Sequence, residues 1–454
     1  MGANDSIFLG AHEAPGVHSV QRCDACGHDL PELDASPACP QCGGLLAIIH
    51  RAPVDSMGAP ASPAALQHGF MQHCCARPAG HASGVWRFES LVMPTAGAAI
   101  TSHPEGNTPL LARARVSAWA GCEGLLLKHE GYNPTGSFKD RGMTVGTTQA
   151  VRTKATAVAC ASTGNTSAAL ASYAAQAGIP GLVFVPAGKV ALGKMAQTLA
   201  YGATTLLVRG DFDECLRLVQ QASKELGIYL LNSINPWRVE GQKTIVLEIL
   251  QQLGWTVPDF IVLPAGNLGN TAAFGKALRE AKALGLITKM PRLVSVQAAG
   301  AAPFARAFRD GFRERHRVQA ETIATAIRIG DPASWDRAVR AIRDSDGLVL
   351  SVTDDEIIDA KVQIDAAGVG CEPASAASVA GVKQLVRDGV IKSGDRVVAV
   401  LTGHVLKDPG MLVELHQQRD DFAHANRPVE IDASVQAVAD VIARRTRDRA
   451  QEGA

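Results

Sequence analysis

The chain has few aromatic residues and no excess charge of either sign. Aromatic residues make up 5% of the 454 residues, and 44 Lys and Arg balance 44 Asp and Glu. Because binding to nucleic acid through its phosphates requires a basic excess, nucleic acid is not expected as a partner. The length, together with a hydrophobic content of 46%, is sufficient for two or three packed domains.

Long apolar segments are also missing. No apolar run reaches transmembrane length, so no membrane association is expected. Residues 1–16 lack the basic start of a secretory signal peptide. The ten cysteines do not resemble a secreted disulfide framework, because four have metal-ligand spacing and the others are scattered. These absences together predict a cytoplasmic protein.

Four cysteines near the N-terminus have the spacing of metal ligands. Cys23 and Cys26 form one C-x2-C pair, Cys39 and Cys42 form another, and 12 residues separate the pairs. Two such pairs place four thiolates around a tetrahedral ion, which is typical of a zinc ribbon, and the glycine after each pair allows a tight turn. The pattern predicts structural Zn²⁺, with a rubredoxin-like iron site or reduced thiols as alternatives.

A second group of possible ligands follows the ribbon. It consists of two adjacent cysteines and three histidines, namely Cys74, Cys75, His68, His73 and His81. Their spacing matches no ligand pattern, so no second metal site is predicted.

From residue 85 onward, apolar β-rich runs alternate with helical patterns. The predicted strands are 125–128, 155–160, 182–185, 204–208, 229–231, 260–263, 293–296, 348–352 and 396–401. The predicted helices are 166–177, 215–226, 244–253, 271–284, 354–366, 374–387 and 432–445. Such alternation predicts parallel sheets, and more than 300 residues of it are too many for one sheet. We therefore expect an α/β fold with two doubly wound domains and a cleft between them.

One stretch, residues 133–142, has the pattern of a turn followed by a helix start. Asn133 and Pro134 initiate a turn, Gly136 permits an unusual backbone, and Ser137 is a candidate helix cap. Lys139 then falls in the first helical turn, where the helix dipole disfavours a cation and lowers the amine pKa. A lysine of this kind suits Schiff-base chemistry, and a solvated surface lysine is the alternative.

Two further loops each follow a predicted strand and open a helix. In residues 162–167, hydroxyls and backbone N–H groups form an anion site suited to a carboxylate, and Asn165 can donate to a phenolate-like oxygen. In residues 266–271, two glycines let the backbone approach a phosphate closely. The second loop is neither a dinucleotide fingerprint nor a Walker A loop. A phosphate monoester on a small cofactor fits it better, although an ordinary helix cap explains the first loop equally well.

The last two loops carry an arginine and a threonine. Arg238, within residues 232–244, offers a planar fork for a second phosphate or a carboxylate, and a salt bridge with Glu240 or another carboxylate is the alternative. The hydroxyl of Thr402, at the end of the last core strand, can bond a ring nitrogen without protonating it. His404 is expected to be a packed or capping residue. A Schiff-base lysine, a phosphate cradle, a ring-nitrogen partner and a phenolate partner together predict pyridoxal 5′-phosphate (PLP) as cofactor.

Several motifs resemble the threonine synthase family, which is a fold-type II, tryptophan-synthase-β-like family of PLP enzymes. They are EGNTPL at 105–110, NPTGSFKDRG at 133–142, STGNTS at 162–167, SINPWR at 233–238, GQKT at 241–244, GNLGN at 266–270, GCEPASAA at 370–377 and LTGH at 401–404. The resemblance extends from about residue 86 to about residue 412. The lysine and GNxGN features are shared across the wider superfamily, whereas NPTGSFKDRG and SINPWR are more specific. The N-terminal ribbon also occurs in some members of the family.

The resemblance implies a role for each matching residue. Lys139 would bind the cofactor covalently and carry protons during catalysis. The cofactor phosphate would be held by Gly266, Asn267, Leu268, Gly269 and Asn270, its 3′ oxygen by Asn165 and its pyridine nitrogen by Thr402. The substrate carboxylate would be bound by Ser162, Thr163 and Thr166, and the substrate phosphate by Ser233, Arg238 and Asn267.

The implied reaction converts O-phospho-L-homoserine and water to L-threonine and phosphate. The alternatives are a serine/threonine dehydratase, an O-phosphoserine-using β-replacement enzyme and, from a different class, a non-catalytic protein whose ribbon mediates interactions. A homodimer is expected for a fold of this type.

The sequence also predicts how the chain divides into segments. In chain order these are a flexible tail at 1–20, the four-cysteine segment at 21–50, a linker or covering segment at 51–84, a two-lobed catalytic region at 85–425 with a smaller lobe at about 140–235 inserted in the larger one, and a C-terminal helix and tail at 426–454.

Overall fold

The computed structural model describes residues 7–10, 16–74, 82–188, 195–210, 212–418, 422 and 424–452. Most of the expected N-terminal tail, part of the expected linker, and both Cys75 and His81 lie outside these ranges. The chain divides into two units, Met1–Lys407 and Asp408–Ala454, each of which is described by itself.

Three short strands near the N-terminus form an antiparallel sheet beside the cysteine pairs. They are β1 (Ser19–Cys23), β2 (Asp29–Pro31) and β3 (Leu46–His50), with β1 in the centre. Gly27 and Gly43, which follow the two cysteine pairs, have φ angles of +75° and +74°, so the tight turns use glycine as expected. The apolar cluster of this sheet consists of only Cys23, Leu30, Cys39 and Leu46. A core this small cannot hold the sheet together alone.

The segment that leads to the first parallel strand is only partly irregular. Its elements are α1 (Pro63–His73), α2 (Glu89–Val92), β4 (Leu110–Ala112), α3 (Ala114–Ala120), β5 (Leu125–His129) and α4 (Lys139–Arg152). Helix α1 lies in the segment that was expected to be a linker. It begins at a proline after Ser62, whose side chain accepts a hydrogen bond from the Ala65 N–H and so caps the helix.

The next stretch of chain builds a four-stranded parallel sheet. Its elements are β6 (Ala157–Ala161), α5 (Asn165–Ala177), β7 (Gly181–Pro186), α6 (Ala196–Ala200), β8 (Thr204–Val208), α7 (Phe212–Leu226) and β9 (Ile228–Leu230). The strand order is β8-β7-β6-β9, and every neighbouring pair is parallel. This sheet falls within the smaller lobe expected at about 140–235, whose boundaries remain a prediction.

The remaining elements of the first unit complete a larger sheet. They are α8 (Pro236–Gln252), β10 (Phe260–Pro264), α9 (Gly269–Ala283), β11 (Arg292–Ala298), α10 (Pro303–Arg309), α11 (Trp335–Asp344), β12 (Leu348–Val352), α12 (Asp354–Ala366), α13 (Pro373–Arg387) and β13 (Val397–Leu401). The order is β12-β11-β10-β13-β5-β4, and only β4 is antiparallel to its neighbour. Strands β10 and β13 are buried throughout, as expected for parallel strands covered on both faces.

The α/β prediction with two sheets is confirmed, and each predicted strand is found. The main error concerns α8, which begins at Pro236 rather than at residue 244. Asn235 caps α8 and Pro236 occupies its first turn, a start signal that the apolar pattern did not show. Ser137 is not the cap of α4 either, because Phe138 occupies the cap position and no side chain caps that helix.

Helices α4 and α8 lie unusually close together. A Cβ atom added to Gly241 would lie 1.7 Å from the Arg141 carbonyl oxygen, so α8 can pass here only with glycine. A Cβ at Gly142 would likewise lie 2.9 Å from the Arg238 carbonyl oxygen. The close packing brings the first turn of α4, which carries Lys139, beside the first turn of α8, which carries Arg238.

In its described residues, the second unit contains two helices and a short π-helical turn. They are α14 (Pro409–Val413), the turn Glu414–Gln418 and α15 (Val435–Glu452). Helix α15 begins three residues after the predicted start and extends beyond the predicted end at 445. Within the described ranges of the whole chain, none of the helices has both the length and the apolar character needed to cross a membrane.

Candidate active site

The five loops singled out in the sequence follow the carboxyl ends of β5, β6, β9, β10 and β13. In parallel sheets these ends share one edge, which is where α/β proteins bind ligands. The loops after β6 and β9 are joined by a hydrogen bond of 3.1 Å from the Ala161 N–H to Asn232 Oδ1. The loops after β9 and β10 are joined by a bond of 2.6 Å from Asn267 Nδ2 to Ser233 Oγ.

The lysine loop is paired with the threonine loop. The Phe138 N–H donates to the Thr402 carbonyl oxygen at 3.0 Å, and the His404 N–H donates to the Gly136 carbonyl oxygen at 2.8 Å. Gly136 has a φ angle of +84°, which is the unusual backbone expected there. The ring of His404 accepts a bond from the Leu406 N–H at 3.2 Å, which agrees with a capping residue.

Lys139 is the first residue of α4 and is half-buried. Burial and the positive charge of Arg238 lower its pKa to about 7, whereas the carboxylate of Glu372 acts in the opposite direction. The direction matches the expectation, but burial rather than the helix dipole is the main cause. At neutral pH a large fraction of the amine is therefore uncharged, as a nucleophile or proton acceptor requires.

The turn before Lys139 is held by its neighbour Asp140. The buried carboxyl of Asp140 accepts bonds from the Thr135 N–H at 2.7 Å and from Thr135 Oγ1 at 2.5 Å. Burial raises the pKa of Asp140 to about 7, although both bonds from Thr135 oppose that rise. The conformation of the turn therefore depends on a buried carboxyl that the sequence motif includes without indicating its role.

A buried ion cluster anchors α4 behind the turn. Arg141 donates to Glu130 Oε2 at 2.7 Å and to Glu248 Oε1 at 2.9 Å, and Glu248 also contacts Lys128 Nζ at 2.5 Å and Arg87 Nη2 at 2.6 Å. Although burial alone would raise the pKa of Glu248, the charges of Arg141, Lys128 and Arg87 hold it well below its ordinary value. Because α4 and α8 share this cluster, it fixes the two helices that present Lys139 and Arg238.

The loop after β6 meets the large sheet through Asn165. Asn165 is the first residue of α5, and its Nδ2 donates to Glu372 Oε2 at 2.9 Å. The predicted substrate-binding residues of this loop, Ser162, Thr163 and Thr166, are half-buried at the same helix start. The orphan N–H groups at a helix start favour an anion, so the loop retains the character of a carboxylate site.

Glu372 is a site residue to which sequence reasoning gave no role. It precedes α13, is 4% exposed, and contacts Thr402 Oγ1 at 3.2 Å through the carboxylate oxygen that does not bind Asn165. Burial raises its pKa, whereas its bond from Asn165 and the charge of Lys407 lower it. The only available signal was its place in the motif at 370–377, since its partners lie 207 and 30 residues away along the chain.

Lys407 is a second residue that the sequence did not indicate. Its Nζ donates to the Thr135 carbonyl oxygen at 3.1 Å and to Gln197 Oε1 at 2.5 Å. Gln197 Nε2 also donates to the Thr135 carbonyl oxygen, at 3.2 Å. Lys407 thus connects the lysine loop to α6 of the four-stranded sheet.

The predicted phosphate cradle lies between β10 and α9. Leu268 adopts a left-handed backbone with a φ angle of +63°, which turns the chain into the helix that begins at Gly269. Gly266 is required for a reason other than phosphate approach, because its added Cβ would lie 2.8 Å from the Ile327 Cα atom. The added Cβ of Gly269 would meet only Gln242 Oε1, at 3.7 Å.

The cradle residues fit a bound phosphate. The helix begins with backbone N–H groups that have no partner within the helix. Within the described part of the chain, Asn270 Oδ1 is buried without a hydrogen-bond partner. The side chain of Asn267 is already fixed, since its Oδ1 accepts from the Ala333 N–H at 2.7 Å. The fit to phosphate therefore rests on the positive helix end and its orphan N–H groups, because Asn270 Oδ1 is an acceptor and cannot bond a phosphate oxygen.

Arg238 has the least satisfied charge in the cleft. It is 1% exposed, and its Nη1 donates to the Leu231 carbonyl oxygen at 3.1 Å. Its Nε and Nη2 are buried without partners among the described residues, which also give it no ion pair. Burial lowers its pKa to about 10. The salt bridge with Glu240 considered as an alternative is wrong, because Glu240 pairs with Lys243 and Lys276.

The four cysteines of the ribbon converge as their spacing predicts. Their Sγ atoms all lie within 4.8 Å of one another, with Cys23 and Cys42 at 3.5 Å and Cys26 and Cys39 at 3.7 Å. A tetrahedron with Zn–S bonds of about 2.3 Å has S···S edges of about 3.8 Å. The cluster therefore has the size and donor set of a closed metal site.

The fold and the cleft define the chain as a PLP-dependent enzyme, and comparison with known families agrees. Residues 101–403 match the family described as "Pyridoxal-phosphate dependent enzyme". Threonine synthase from Methanosarcina acetivorans is 44% identical over 423 residues, which cover 93% of this chain and 98% of that protein. Threonine synthase from Methanocaldococcus jannaschii is 43% identical, with coverages of 88% and 95%. The chain therefore belongs to the threonine synthase family of PLP-dependent enzymes.

A solved structure supports the same fold. The crystal structure of threonine synthase from Escherichia coli aligns with a TM-score of 0.65 at 18% identity, and covers 93% of this chain and 94% of that chain. At this identity the similarity concerns the fold, which confirms the fold-type II architecture expected from the sequence.

Proposed function

We propose that this protein is a threonine synthase that converts O-phospho-L-homoserine and water to L-threonine and phosphate. Membership of the family supports the reaction. The choice of a phosphorylated substrate rests on Arg238. Its guanidinium is buried, and two of its nitrogens lack partners in the described chain. A buried cation of this kind is costly unless an anion pairs with it.

The cofactor is held at four points. Its phosphate is bound by backbone N–H groups at the start of α9, in the segment formed by Gly266, Asn267, Leu268, Gly269 and Asn270. Asn165 donates to its 3′ oxygen and Thr402 contacts its ring nitrogen, while Lys139 bonds to it covalently. Bound PLP supplies an electron sink for negative charge that develops beside the substrate amine.

Lys139 moves protons to and from the substrate carbons. Its pKa of about 7 allows the amine to accept and return a proton at neutral pH without a large energetic penalty in either direction. Because the lysine belongs to the first turn of a helix that is anchored by buried ion pairs, its backbone position is fixed.

The two ends of the substrate are bound by different loops. Ser162, Thr163 and Thr166 hold the carboxylate at the start of α5. Ser233, Arg238 and Asn267 hold the phosphate, and the bond of 2.6 Å between the side chains of Asn267 and Ser233 keeps these two together. Opposite anchoring of the two anionic groups aligns the carbons between them with Lys139.

A substrate panel tests the proposal against the other PLP reactions. Phosphate release is measured with O-phospho-L-homoserine and O-phosphoserine, and deamination is measured with threonine and serine. We expect turnover only with O-phospho-L-homoserine. Efficient deamination would instead indicate a dehydratase, and phosphate release from O-phosphoserine alone would indicate a β-replacement enzyme. A colourless protein that takes up no PLP would favour a non-catalytic role.

An arginine variant tests the phosphate contact itself. Loss of a buried charged bond costs about 3 kcal/mol, so Arg238→Ala is expected to lower kcat/KM for O-phospho-L-homoserine about 100-fold. The affinity for PLP should change less than about threefold, within a fraction of 1 kcal/mol. Arg387→Ala, at an exposed position at the end of α13, is the matched control and should retain full activity. Equal kcat/KM values for Arg238→Ala and the control would refute the phosphate assignment.

We also propose that the four-cysteine cluster holds structural Zn²⁺. The support is the distance between the sulfur atoms together with the all-thiolate donor set, which leaves no open position for catalysis. Elemental analysis of the purified protein is expected to give one zinc per chain. Iron with the colour of a rubredoxin site, or four thiols that react freely with a thiol reagent, would support the two alternatives instead.

The remaining assignments concern assembly and location. A homodimer is proposed from the fold type and is tested by sedimentation velocity. A cytoplasmic location and the lack of a nucleic-acid partner remain predictions from the sequence.

A further inference from the structure

The carboxyl group of Glu372 lies between the two residues proposed to contact the cofactor ring. Its Oε2 accepts from Asn165 Nδ2 at 2.9 Å, and its Oε1 accepts from Thr402 Oγ1 at 3.2 Å. Asn165 begins α5 beside the four-stranded sheet, whereas Thr402 follows β13 of the six-stranded sheet. One carboxyl group therefore connects the two sides of the cleft at the point where the ring is proposed to bind.

Glu372 is itself firmly held. Its N–H donates to the Gly403 carbonyl oxygen at 3.1 Å, and the residue directly precedes α13. A Cβ atom at Gly403 would lie 2.5 Å from the Glu372 Cδ atom, so the carboxyl group fits only against a bare backbone. Ser375 Oγ accepts from the Gly403 N–H at 3.0 Å and also contacts Thr402 Oγ1 at 3.0 Å. The rotamers of Glu372 and Thr402 are thus fixed by their surroundings.

We propose that Glu372 is a positioning residue that orients the Asn165 amide and the Thr402 hydroxyl toward the cofactor ring. This inference rests on the proposed function, because the ring contacts of Asn165 and Thr402 are part of it. Glu372 acts through these two residues rather than on the substrate.

Hydrogen-bond counting explains how the orientation works on the side of Asn165. An amide nitrogen has two protons, and one of them is committed to Glu372. The contact excludes the flipped amide, because a flipped side chain would place its oxygen against a carboxylate. The second N–H is then available for the 3′ oxygen of the cofactor.

The same counting makes the proton of Thr402 decisive. A hydroxyl has one proton, which Thr402 donates to only one of Glu372, Ser375 and the ring nitrogen. If the ring nitrogen accepts it, the contact with Glu372 persists only when Glu372 carries a proton of its own. Burial favours that protonated state by raising the pKa of Glu372, whereas the bond from Asn165 and the charges of Lys407 and Lys139 oppose it. A glutamine reproduces the hydrogen-bonding pattern of the protonated carboxyl, with its oxygen toward Asn165 and its amide N–H toward Thr402.

Two substitutions at this position separate positioning from structural support. The dissociation constant of PLP is measured by absorbance titration of the cofactor-free protein, and the absorbance maximum of the bound cofactor is recorded. Glu372→Ala loses both contacts, so we expect a rise of about tenfold or more in the dissociation constant and a shifted maximum. Glu372→Gln retains both contacts and should stay within about threefold of the wild type. Glu225→Ala, at an exposed position near the end of α7, is the control and should match the wild type.

Each result decides the proposal. Circular dichroism of the cofactor-free variants identifies a variant that fails to fold, in which case the glutamine variant alone carries the test. An alanine variant that binds PLP with wild-type affinity and spectrum would overturn the inference. So would a folded glutamine variant that binds as weakly as the alanine variant. If the wild-type protein itself fails to bind PLP, the proposed function fails instead, which keeps the two failures distinct.

Discussion

Replacing Arg238 by methionine is expected to make the protein more stable while removing its response to phosphate. Arg238 carries a buried charge that has no ion pair among the described residues, and two of its three guanidinium nitrogens lack partners there. Its aliphatic stem lies against the glycines of α4, since a Cβ at Gly146 would lie 3.3 Å from Arg238 Cγ. Methionine has a stem of similar length, so it retains this packing and removes only the charged end.

The magnitude follows from the pKa of the guanidinium. Burial lowers that pKa from the ordinary value of an arginine to about 10, a change of between two and three powers of ten in the acid constant. Each tenfold change is about 1.4 kcal/mol, so the charged form costs the folded state roughly 3 kcal/mol. Because the folded pKa is the lower one, this cost is fully present below pH 10 and disappears as the pH rises toward the ordinary pKa of arginine. Methionine also loses the bond to the Leu231 carbonyl oxygen, about 1 kcal/mol, which leaves a net gain of about 2 kcal/mol.

The assay is urea unfolding of the cofactor-free protein in phosphate-free buffer, followed by circular dichroism. Arg387→Met, an exposed matched substitution, should change the free energy of unfolding by less than about 0.5 kcal/mol. In a second measurement, inorganic phosphate is added to the PLP-loaded proteins, in which the cofactor occupies the cradle. At a concentration of about 100 times its dissociation constant, phosphate stabilises the wild type by about 2.7 kcal/mol through linkage, which is seen as a higher Tm. Arg238→Met should show no such rise.

Two outcomes would refute this reasoning. If the methionine variant is less stable than the wild type by more than about 1 kcal/mol, the charge is not an uncompensated cost in the folded protein. If phosphate raises the Tm of both proteins equally, the guanidinium does not bind phosphate.

Three further predictions concern the anchor of α4, the lysine and the ribbon. Glu248→Ala leaves three buried cations without their shared carboxylate, so it should lower the free energy of unfolding in urea by about 3–5 kcal/mol. The control Asp331→Ala, which breaks an exposed ion pair, should lower it by less than about 1 kcal/mol. A loss as small as that of the exposed pair would contradict a role for the cluster. Because only the neutral amine of Lys139 adds to PLP, the loading rate of the cofactor-free protein should rise between pH 6 and pH 8 with a midpoint near its pKa of about 7. A midpoint above pH 9, measured by stopped-flow absorbance, would show that burial does not lower this pKa. Cys23→Ser removes one of four ligands and should abolish the one bound zinc per chain in elemental analysis, and an unchanged zinc content would rule out this cluster as the site.

The sequence predicted those parts of the fold that depend on local patterns. Strands such as β10 and β13 are continuous apolar runs because helices cover both faces of the sheet, so they stand out against the polar loops. The start of α8 was missed because its first turns, Pro236 to Gly241, approach α4 through glycines and backbone rather than through an apolar stripe. A helix that is buried on all sides shows no amphipathic periodicity in its sequence.

The sequence predicted residues of the candidate site only where the residues that serve one function lie together in one loop. Lys139 and the cradle were found because a turn, a glycine and a helix start mark them locally. The alternative that paired Arg238 with Glu240 is wrong, because residues two apart on a helix face different directions. Lys407 gave no signal and Glu372 only its place in the motif at 370–377, since their contacts join positions that only the folded chain brings together.

The ribbon is attached to the same helices that form the cleft, which bears on why it is present. His50 of β3 contacts Glu240 of α8 at 3.0 Å, and its ring also bonds Ser19 of β1 at 2.9 Å. Lys276 of α9 pairs with Glu240 and donates to the Ile48 carbonyl oxygen of β3 at 2.6 Å. Helix α8 begins at the arginine loop and α9 begins at the phosphate cradle. Since the small ribbon sheet cannot bury a core of its own, these buried contacts hold it against α8 and α9, and removal of one partner would leave a buried charge unpaired.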